Sequence, residues 1–208
     1  MRIINFLFFF CSLSLLAQQP SNFAKLEKHT EPAELTVKMA EAKSLHSEFR
    51  QIKVIAMMDS ESESKGEIFY ESPDLIKWVY NKPFSYSLLF KNDHLYINDD
   101  GQKSEQDLSG NKMFAKLGDL ITGSLNGELL KDDENFTITY SHVKNGTNAV
   151  MIPKNENLAS IFQKVVMCFS KENTLQSVKL VEESGDYTMI QFKEWHFNKP
   201  IDKSVFQQ

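Results

Sequence analysis

The spacing of hydrophobic residues divides the chain into helical and strand-like parts. Leu35, Met39, Ala42 and Leu45 recur at helical spacing and predict an amphipathic helix over roughly residues 33–45. From Ser47 onward, short runs rich in aromatic and β-branched residues alternate with turn-forming residues, as is typical of strands. About ten strands are predicted, near residues 47–57, 65–71, 75–81, 86–91, 94–98, 136–144, 147–152, 162–170, 175–183 and 187–197.

A helical insertion interrupts the predicted strands once. Between residues 110 and 134, apolar residues fit short helices that are expected to break at Gly123 and Gly127. The polar stretch 59–65 is expected to be a solvated hairpin tip. The order of helix, strands, helices and strands excludes a βαβ pattern. It predicts an α+β fold with a strongly curved antiparallel sheet that forms a closed or an open barrel.

The N-terminus has the pattern of a secretory signal peptide. Arg2 precedes a long apolar stretch, and Ala17 precedes polar sequence. We expect cleavage after Ala17, which makes residues 1–17 a leader and residues 18–208 a single exported domain; an uncleaved N-terminal anchor is the alternative. Cleavage leaves Cys168 as the one cysteine. Its apolar neighbours predict a small buried hydrophobe rather than a reactive thiol.

Composition and motifs favour a binding protein. The 23 basic and 28 acidic residues give a net charge of -5 without a basic cluster, which argues against a nucleic-acid partner. The histidines lack metal-ligand spacing, and nucleophile-elbow, P-loop and dinucleotide motifs are missing, so no metal, other cofactor or catalytic residue is predicted. An enzyme with unrecognised catalytic residues is the least favoured alternative. The 16 phenylalanines supply extensive apolar surface for burial or binding.

Several loose motifs occur in a recognisable order along the chain. A helix leads into Phe-x-Gln at 49–51, a Gly-x-apolar strand ends at Pro73, a Trp strand ends at Pro83, and a turn precedes Leu95-Tyr96. A closing hairpin and tail follow over residues 178–206. Together these motifs resemble the LolA family of periplasmic lipoprotein carriers, over nearly the whole chain after the leader.

The resemblance implies both a fold and a function. The expected fold is an open, incomplete antiparallel β-barrel with helices over its concave apolar face. The expected function is to bind the acyl chains of lipoproteins in a hydrophobic cavity and to carry them through the periplasm from the inner to the outer membrane. Expected partners of the monomer are acylated lipoproteins, an inner-membrane lipoprotein-release complex contacted transiently, and an outer-membrane acceptor. A periplasmic carrier or sensor of another fatty-acyl or polyene lipid is the alternative.

Candidate cavity residues follow from strand alternation and from the family pattern. Alternation places Ile76 and Trp78 on one face of their strand and Lys77 on the other, towards solvent. The family pattern adds three cavity residues, and the helical insertion supplies four lid contacts: Leu45, Phe49 and Leu89 in the cavity, and Met113, Leu117, Leu120 and Ile121 in the lid. A closed core made of the same residues is the alternative. Ser72 stands where the family often has a basic residue before the first proline. The sequence therefore does not determine how the lid is controlled in this chain.

Overall fold

One antiparallel sheet of twelve strands makes up most of the protein. The structure is a computed structural model that describes residues 35, 40–108 and 121–207. The strands are β1 (Ser44–Ile55), β2 (Ser60–Glu71), β3 (Leu75–Lys82), β4 (Tyr86–Lys91), β5 (His94–Asp99), β6 (Gln102–Asp107), β7 (Phe136–Val143), β8 (Gly146–Pro153), β9 (Lys164–Ser170), β10 (Leu175–Val181), β11 (Tyr187–Phe192) and β12 (His196–Phe197).

The sheet is not closed into a ring. Its order is β6-β5-β4-β3-β2-β1-β11-β10-β9-β8-β7, with β12 pairing to β1 beside β11. Among the described strands, β6 and β7 therefore stand at opposite ends. Among the described residues, 35, 40, 121–126 and Glu156–Ala159 are α-helical, and Ala56–Met58, Glu128–Lys131 and Lys203–Phe206 are 3-10 helices. The predicted antiparallel sheet that does not close is confirmed, and strands make up more of the described chain than the predicted α+β fold implied.

The structure has twelve strands where ten were predicted, and most of the polar stretch 59–65, predicted as a hairpin tip, is part of a strand. The edge strand β6 has only polar, exposed residues, so it lacks the apolar alternation that marks a half-buried strand. β12 has two residues and follows a break after β11. The polar stretch predicted as a hairpin tip forms the start of β2, where Ser60 pairs with Ile55. The tip is the preceding 3-10 turn, which ends at Asp59 with a φ of 45°.

The predicted N-terminal helix is too long at its C-terminal end. Residues 35 and 40 are helical, but the chain turns at residue 41 and β1 begins at Ser44. The Lys43 backbone fixes this transition, because its N–H donates to Asn198 Oδ1 at 2.7 Å and its carbonyl accepts from the Ser72 N–H at 2.9 Å. Leu45 therefore lies on a strand, where it satisfies the alternation with Phe49 as well as the helical spacing.

One face of the sheet, called here the inner face, carries the hydrophobic core. Cross-strand partners of an antiparallel sheet point to the same side. A continuous row of partners crosses β1 to β5, and all five side chains are buried: Leu45, Tyr70, Ile76, Phe90 and Leu95. Leu35 and Leu125 from the helical segments belong to the same buried cluster. The helical segments therefore pack on the inner face.

Gly66 allows the aromatic side chains of the inner face to approach the backbone of β2. A Cβ at this position would lie 1.8 Å from the Val79 carbonyl oxygen and 2.9 Å from Phe49 Cζ. Because that carbonyl belongs to the paired strand, the clash is relieved only by opening the β2–β3 ladder. We expect Gly66→Ala to lower the free energy of unfolding by about 3 kcal/mol in urea denaturation. Gly123→Ala, whose Cβ would meet atoms at 3.2 Å or more, is the control; equal effects would contradict this account.

Candidate functional site

An apolar cavity of about 90 Å³ lies between the helical residues 121–126 and the inner face. Side chains from both halves of the sheet line it, with Trp78 on β3 opposite residues of β9, β10 and β11. Ile121 and Leu125 close it from the helical side. Ser124 is the one polar side chain among the lining residues. The other lining side chains are Leu129, Ile161, Phe162, Val165, Val178, Leu180, Ile190 and Phe192.

Four of the five predicted cavity residues meet on the inner face. Leu45, Phe49, Ile76 and Trp78 all belong to the buried cluster, and the Phe49 and Trp78 ring centroids are 4.9 Å apart. Of these, Trp78 lines the cavity, whereas the other three belong to the buried cluster but are not among the lining residues.

The fifth predicted cavity residue, Leu89, lies on the opposite face of the sheet. The register pairs it with Lys77, which alternation separates from Ile76 and Trp78. Leu89 is buried, but it does not belong to the inner-face cluster. The register therefore removes it from the cavity.

The prediction that Lys77 points to solvent is wrong. Lys77 is only 7% exposed, because the C-terminal 3-10 helix Lys203–Phe206 packs against β3 on this side. Its Nζ donates to the Gln207 carbonyl oxygen at 3.1 Å. Burial is the main cause that lowers the pKa of Lys77, and Lys103 adds a smaller electrostatic effect in the same direction. Alternation gave the correct face but could not indicate that the tail covers it.

The predicted lid is described in part. Ile121 lines the cavity, while Met113, Leu117 and Leu120 lie outside the described residues. The helix continues through Gly123, so the predicted break there is wrong. The break at Gly127 is confirmed: this residue adopts a φ of 79°, a left-handed conformation that favours glycine, and separates the helix from the 3-10 turn that follows.

The cavity wall formed by β9, β10 and β11 was missed by the sequence prediction. Of its residues, Val178 lies between Ser177 and Lys179, which was a usable sign of a buried face, whereas Val165 and Ile190 each have an apolar neighbour and show no alternation. That sign does not show that this face meets Trp78, which is distant in sequence.

A row of aromatic side chains runs from Trp78 to a second cavity beside the connection between β3 and β4. The centroid of Tyr80 lies 6.4 Å from that of Trp78 and 6.1 Å from that of Tyr86. The second cavity, of about 270 Å³, is lined by Tyr80 and Tyr86 together with Ser64, Lys82, Pro83, Phe84 and Leu88. The Tyr80 hydroxyl donates to Gln51 Oε1 at 2.9 Å, and burial raises the pKa of Tyr80 to about 12. Tyr80 therefore stays protonated and neutral at physiological pH.

Comparison with known proteins decides the family. A family model described as "Outer membrane lipoprotein carrier protein LolA" matches residues 40–208. The chain belongs to the LolA family. Among curated relatives, an outer-membrane lipoprotein carrier protein of Methylobacillus flagellatus is 28% identical over 169 residues, which are 79% of this chain and 77% of the relative. One of Pseudomonas aeruginosa is 22% identical over 206 residues, 99% of this chain and 94% of the relative.

Solved structures resemble this LolA-family chain more distantly. A LolA superfamily protein from Nitrosomonas europaea has a TM-score of 0.43 at 9% identity, and the match covers 86% of this chain and 99% of that one. A DUF1329 family protein from Desulfovibrio piger has a TM-score of 0.48 at 11% identity, and the match covers 84% and 95%. The family model and the curated relatives confirm the resemblance found in the sequence, to a family of carriers rather than enzymes.

No group of three His, Cys, Asp or Glu residues in residues 40–108 and 121–207 is placed to bind a metal ion. Cys168 is half-exposed rather than buried, because its register partners Asn148 and Ser177 place it on the outer side of the sheet. None of the helices that the structure describes has the length and hydropathy needed to span a bilayer.

Proposed function

We propose that this protein is a periplasmic carrier that holds the acyl chains of lipoproteins and takes them from the inner to the outer membrane. The observation that carries the proposal is the apolar cavity under helix 121–126, in a chain of the lipoprotein-carrier family. Such a cavity suits acyl chains because each buried CH₂ contributes about 0.8 kcal/mol without any directional contact. An apolar lining also discriminates little between chains, as a carrier of many lipoproteins requires.

Strand order supports an incomplete barrel around this cavity. β3 and β9 are separated by five steps in the order β3-β2-β1-β11-β10-β9. In a flat sheet, strands about 4.8 Å apart would place them roughly 24 Å from each other. Trp78 of β3 and Val165 of β9 nevertheless line the same small cavity. The sheet therefore curves around its inner face, with helix 121–126 over the concavity.

The size of the cavity supports a lid that moves when lipid binds. Ligand pockets commonly measure about 300–1,000 Å³, whereas this cavity measures about 90 Å³. Ile121 and Leu125 occupy apolar space that an acyl chain would need. Lipid and helix therefore compete for the same surface, and lipid favours the open state.

The purified protein should carry its cargo when it is released gently from the periplasm. Native mass spectrometry of that material is expected to show complexes whose added mass is that of acylated polypeptides. Added masses of free lipids alone would favour the alternative, a carrier or sensor of another acyl or polyene lipid. A protein without any acyl-containing adduct, before and after mixing with detergent-free lipoprotein, would contradict both.

The proposed location requires export. The apolar leader predicts that the mature chain begins at Gln18. Intact mass of the protein in the periplasmic fraction is the measurement. A chain that retains residues 1–17 and stays in the membrane pellet after a salt wash would favour the anchored alternative.

The proposal also implies a donor and an acceptor. An inner-membrane release complex would load the protein, and an outer-membrane acceptor would unload it. These contacts would be transient, because the protein must leave one membrane to reach the other. A monomer is sufficient for this cycle.

A further inference from the structure

β2 continues past the end of its neighbour β3, so part of its edge has no partner strand. β2 pairs with β1 along its whole length, from residue 60 to residue 71. It pairs with β3 only from Lys65 onward, because β3 ends at Lys82, the partner of Lys65. Among the described strands, none therefore pairs with residues 60–64 on the side of β3. This side of residues 60–64 is called here the open edge.

The backbone groups of Glu61 and Glu63 point to the open edge. In an antiparallel sheet, the N–H and C=O of one residue lie on the same side of the strand, and successive residues alternate between sides. Ser72 donates its N–H to the Lys43 carbonyl at 2.9 Å, so the even-numbered residues of β2 bond to β1. Glu61 and Glu63 therefore present their N–H and C=O groups to the open edge, and both residues are exposed. Such groups are a template for an added strand.

The second cavity lies beside the open edge. Ser64 belongs to the open edge and lines this cavity together with three aromatic side chains, those of Tyr80, Phe84 and Tyr86. A strand added to the open edge would point every second side chain to the inner face, because side chains alternate along a strand. The aromatic lining provides apolar surface for such a side chain.

The open edge also lies close to the cavity proposed for acyl chains. The register joins Ser64 to Gln51 of β1, and Gln51 to Ile190 of β11, which lines the apolar cavity. Two steps between strands about 4.8 Å apart place Ser64 roughly 10 Å from Ile190. By contrast, the end strands β6 and β7 contribute no residue to the lining of either cavity. Unpaired backbone groups and acyl cavity are therefore neighbours at β2.

We propose that the open edge binds the polypeptide segment next to the acylated residue of the cargo, as an added β-strand. This segment is joined covalently to the residue whose acyl chains occupy the apolar cavity, so it must leave the cavity across the neighbouring surface. An extended segment offers the N–H and C=O groups that match those of Glu61 and Glu63, whatever its side chains are. Recognition through the backbone thus suits a carrier of many lipoproteins. This inference rests on the proposed function and adds recognition of the polypeptide to that of the lipid.

Lipopeptide probes that differ only in their backbone test the inference. The parent probe is a dipalmitoylglyceryl cysteine followed by a short peptide of alternating serine and valine. Two further probes carry N-methyl groups on either the odd-numbered or the even-numbered peptide residues, which blocks strand pairing on one side of the peptide. We expect one methylated probe to bind about tenfold more weakly than the parent probe and the other to bind like it. Equal affinities of the two methylated probes would overturn the inference and leave the carrier function standing. Failure of the protein to bind any probe would overturn the proposed function as well.

A variant of the open edge provides the matching change in the protein. Glu61→Pro removes an N–H that points to the open edge and no hydrogen bond of the β1–β2 ladder. We expect it to weaken binding of the parent probe by about tenfold and to leave binding of the weaker methylated probe unchanged. Glu61→Gln removes the same charge but keeps the N–H, so it should bind all probes like the wild type. Equal affinities of Glu61→Pro and Glu61→Gln for the parent probe would contradict the inference.

A measurement on the unaltered protein keeps the inference testable if Glu61→Pro does not fold. Amide hydrogen exchange at Glu63 should slow when the parent probe binds and should not slow with the weaker methylated probe. Unchanged exchange with every probe would overturn the inference. So would a wild-type dimer that Glu61→Pro converts to a monomer, because a second copy of the chain would then occupy the open edge.

Discussion

Replacing Val178 with glutamate is expected to weaken binding of acylated lipopeptide by at least about 100-fold. Val178 is buried in the cavity wall on β10, among side chains that offer a carboxylate no positive partner. A charge there must be desolvated when an acyl chain fills the cavity, and an unpaired buried charge costs several kcal/mol. The measurement is the dissociation constant of a fluorescent lipopeptide.

The control for this substitution lies on the same strand. Gln176 is exposed, so Gln176→Glu introduces the same charge outside the cavity. We expect it to bind lipopeptide like the wild type. Both variants must retain the circular dichroism spectrum of the wild type for the comparison to hold. If folded Val178→Glu and Gln176→Glu bind equally well, the β10 wall does not contact the acyl chain.

Truncating Leu125 is expected to strengthen lipid binding, although it removes a side chain that lines the cavity. Leu125 is almost fully buried and anchors helix 121–126 to the inner face. Leu→Ala changes at such sites cost about 2–5 kcal/mol. If the helix must leave for lipid to enter, that loss favours the open state. The affinity should then rise by about tenfold for each 1.4 kcal/mol of docking energy removed.

Two further measurements separate a moving lid from a fixed layer. Amide hydrogen exchange over residues 121–130 should accelerate in Leu125→Ala and, in the wild type, when lipoprotein binds. Leu158→Ala truncates another buried leucine outside the cavity lining, so it should lower stability and leave the affinity unchanged. A lower affinity in Leu125→Ala, together with slow exchange in both states of the wild type, would make the helix a fixed part of the wall.

Local alternation predicted the faces of strands well. It placed Ile76 and Trp78 together and Lys77 opposite, as the register confirms. Alternation could not show that the C-terminal tail buries Lys77, because that contact joins residues distant in the sequence. Leu89 was chosen by the family pattern alone, and a count of the register from Lys77 excludes it.

Elements without an apolar face were difficult to predict because they leave no hydrophobic pattern in the sequence. β6 gains its hydrogen bonds from β5 at the sheet edge while both of its faces remain in water, so no hydrophobic pattern marks it. The cavity was difficult to predict for another reason, because strands that are distant in sequence line it together. Val165 and Val178 are buried on their strands, but the sequence does not show that these strands line one cavity with Trp78.

Site-specific photo-crosslinking in cells tests the central claim most directly, that acyl chains of lipoproteins occupy the cavity. A photoreactive phenylalanine analogue would replace Ile190, which lines the cavity, or Gln176, which is exposed on the adjacent strand. The account predicts adducts at residue 190 whose mass spectra contain acylated lipoprotein N-termini, and few or none at residue 176. Equal lipoprotein adducts at both positions, or adducts at residue 190 that contain no lipoprotein, would contradict it.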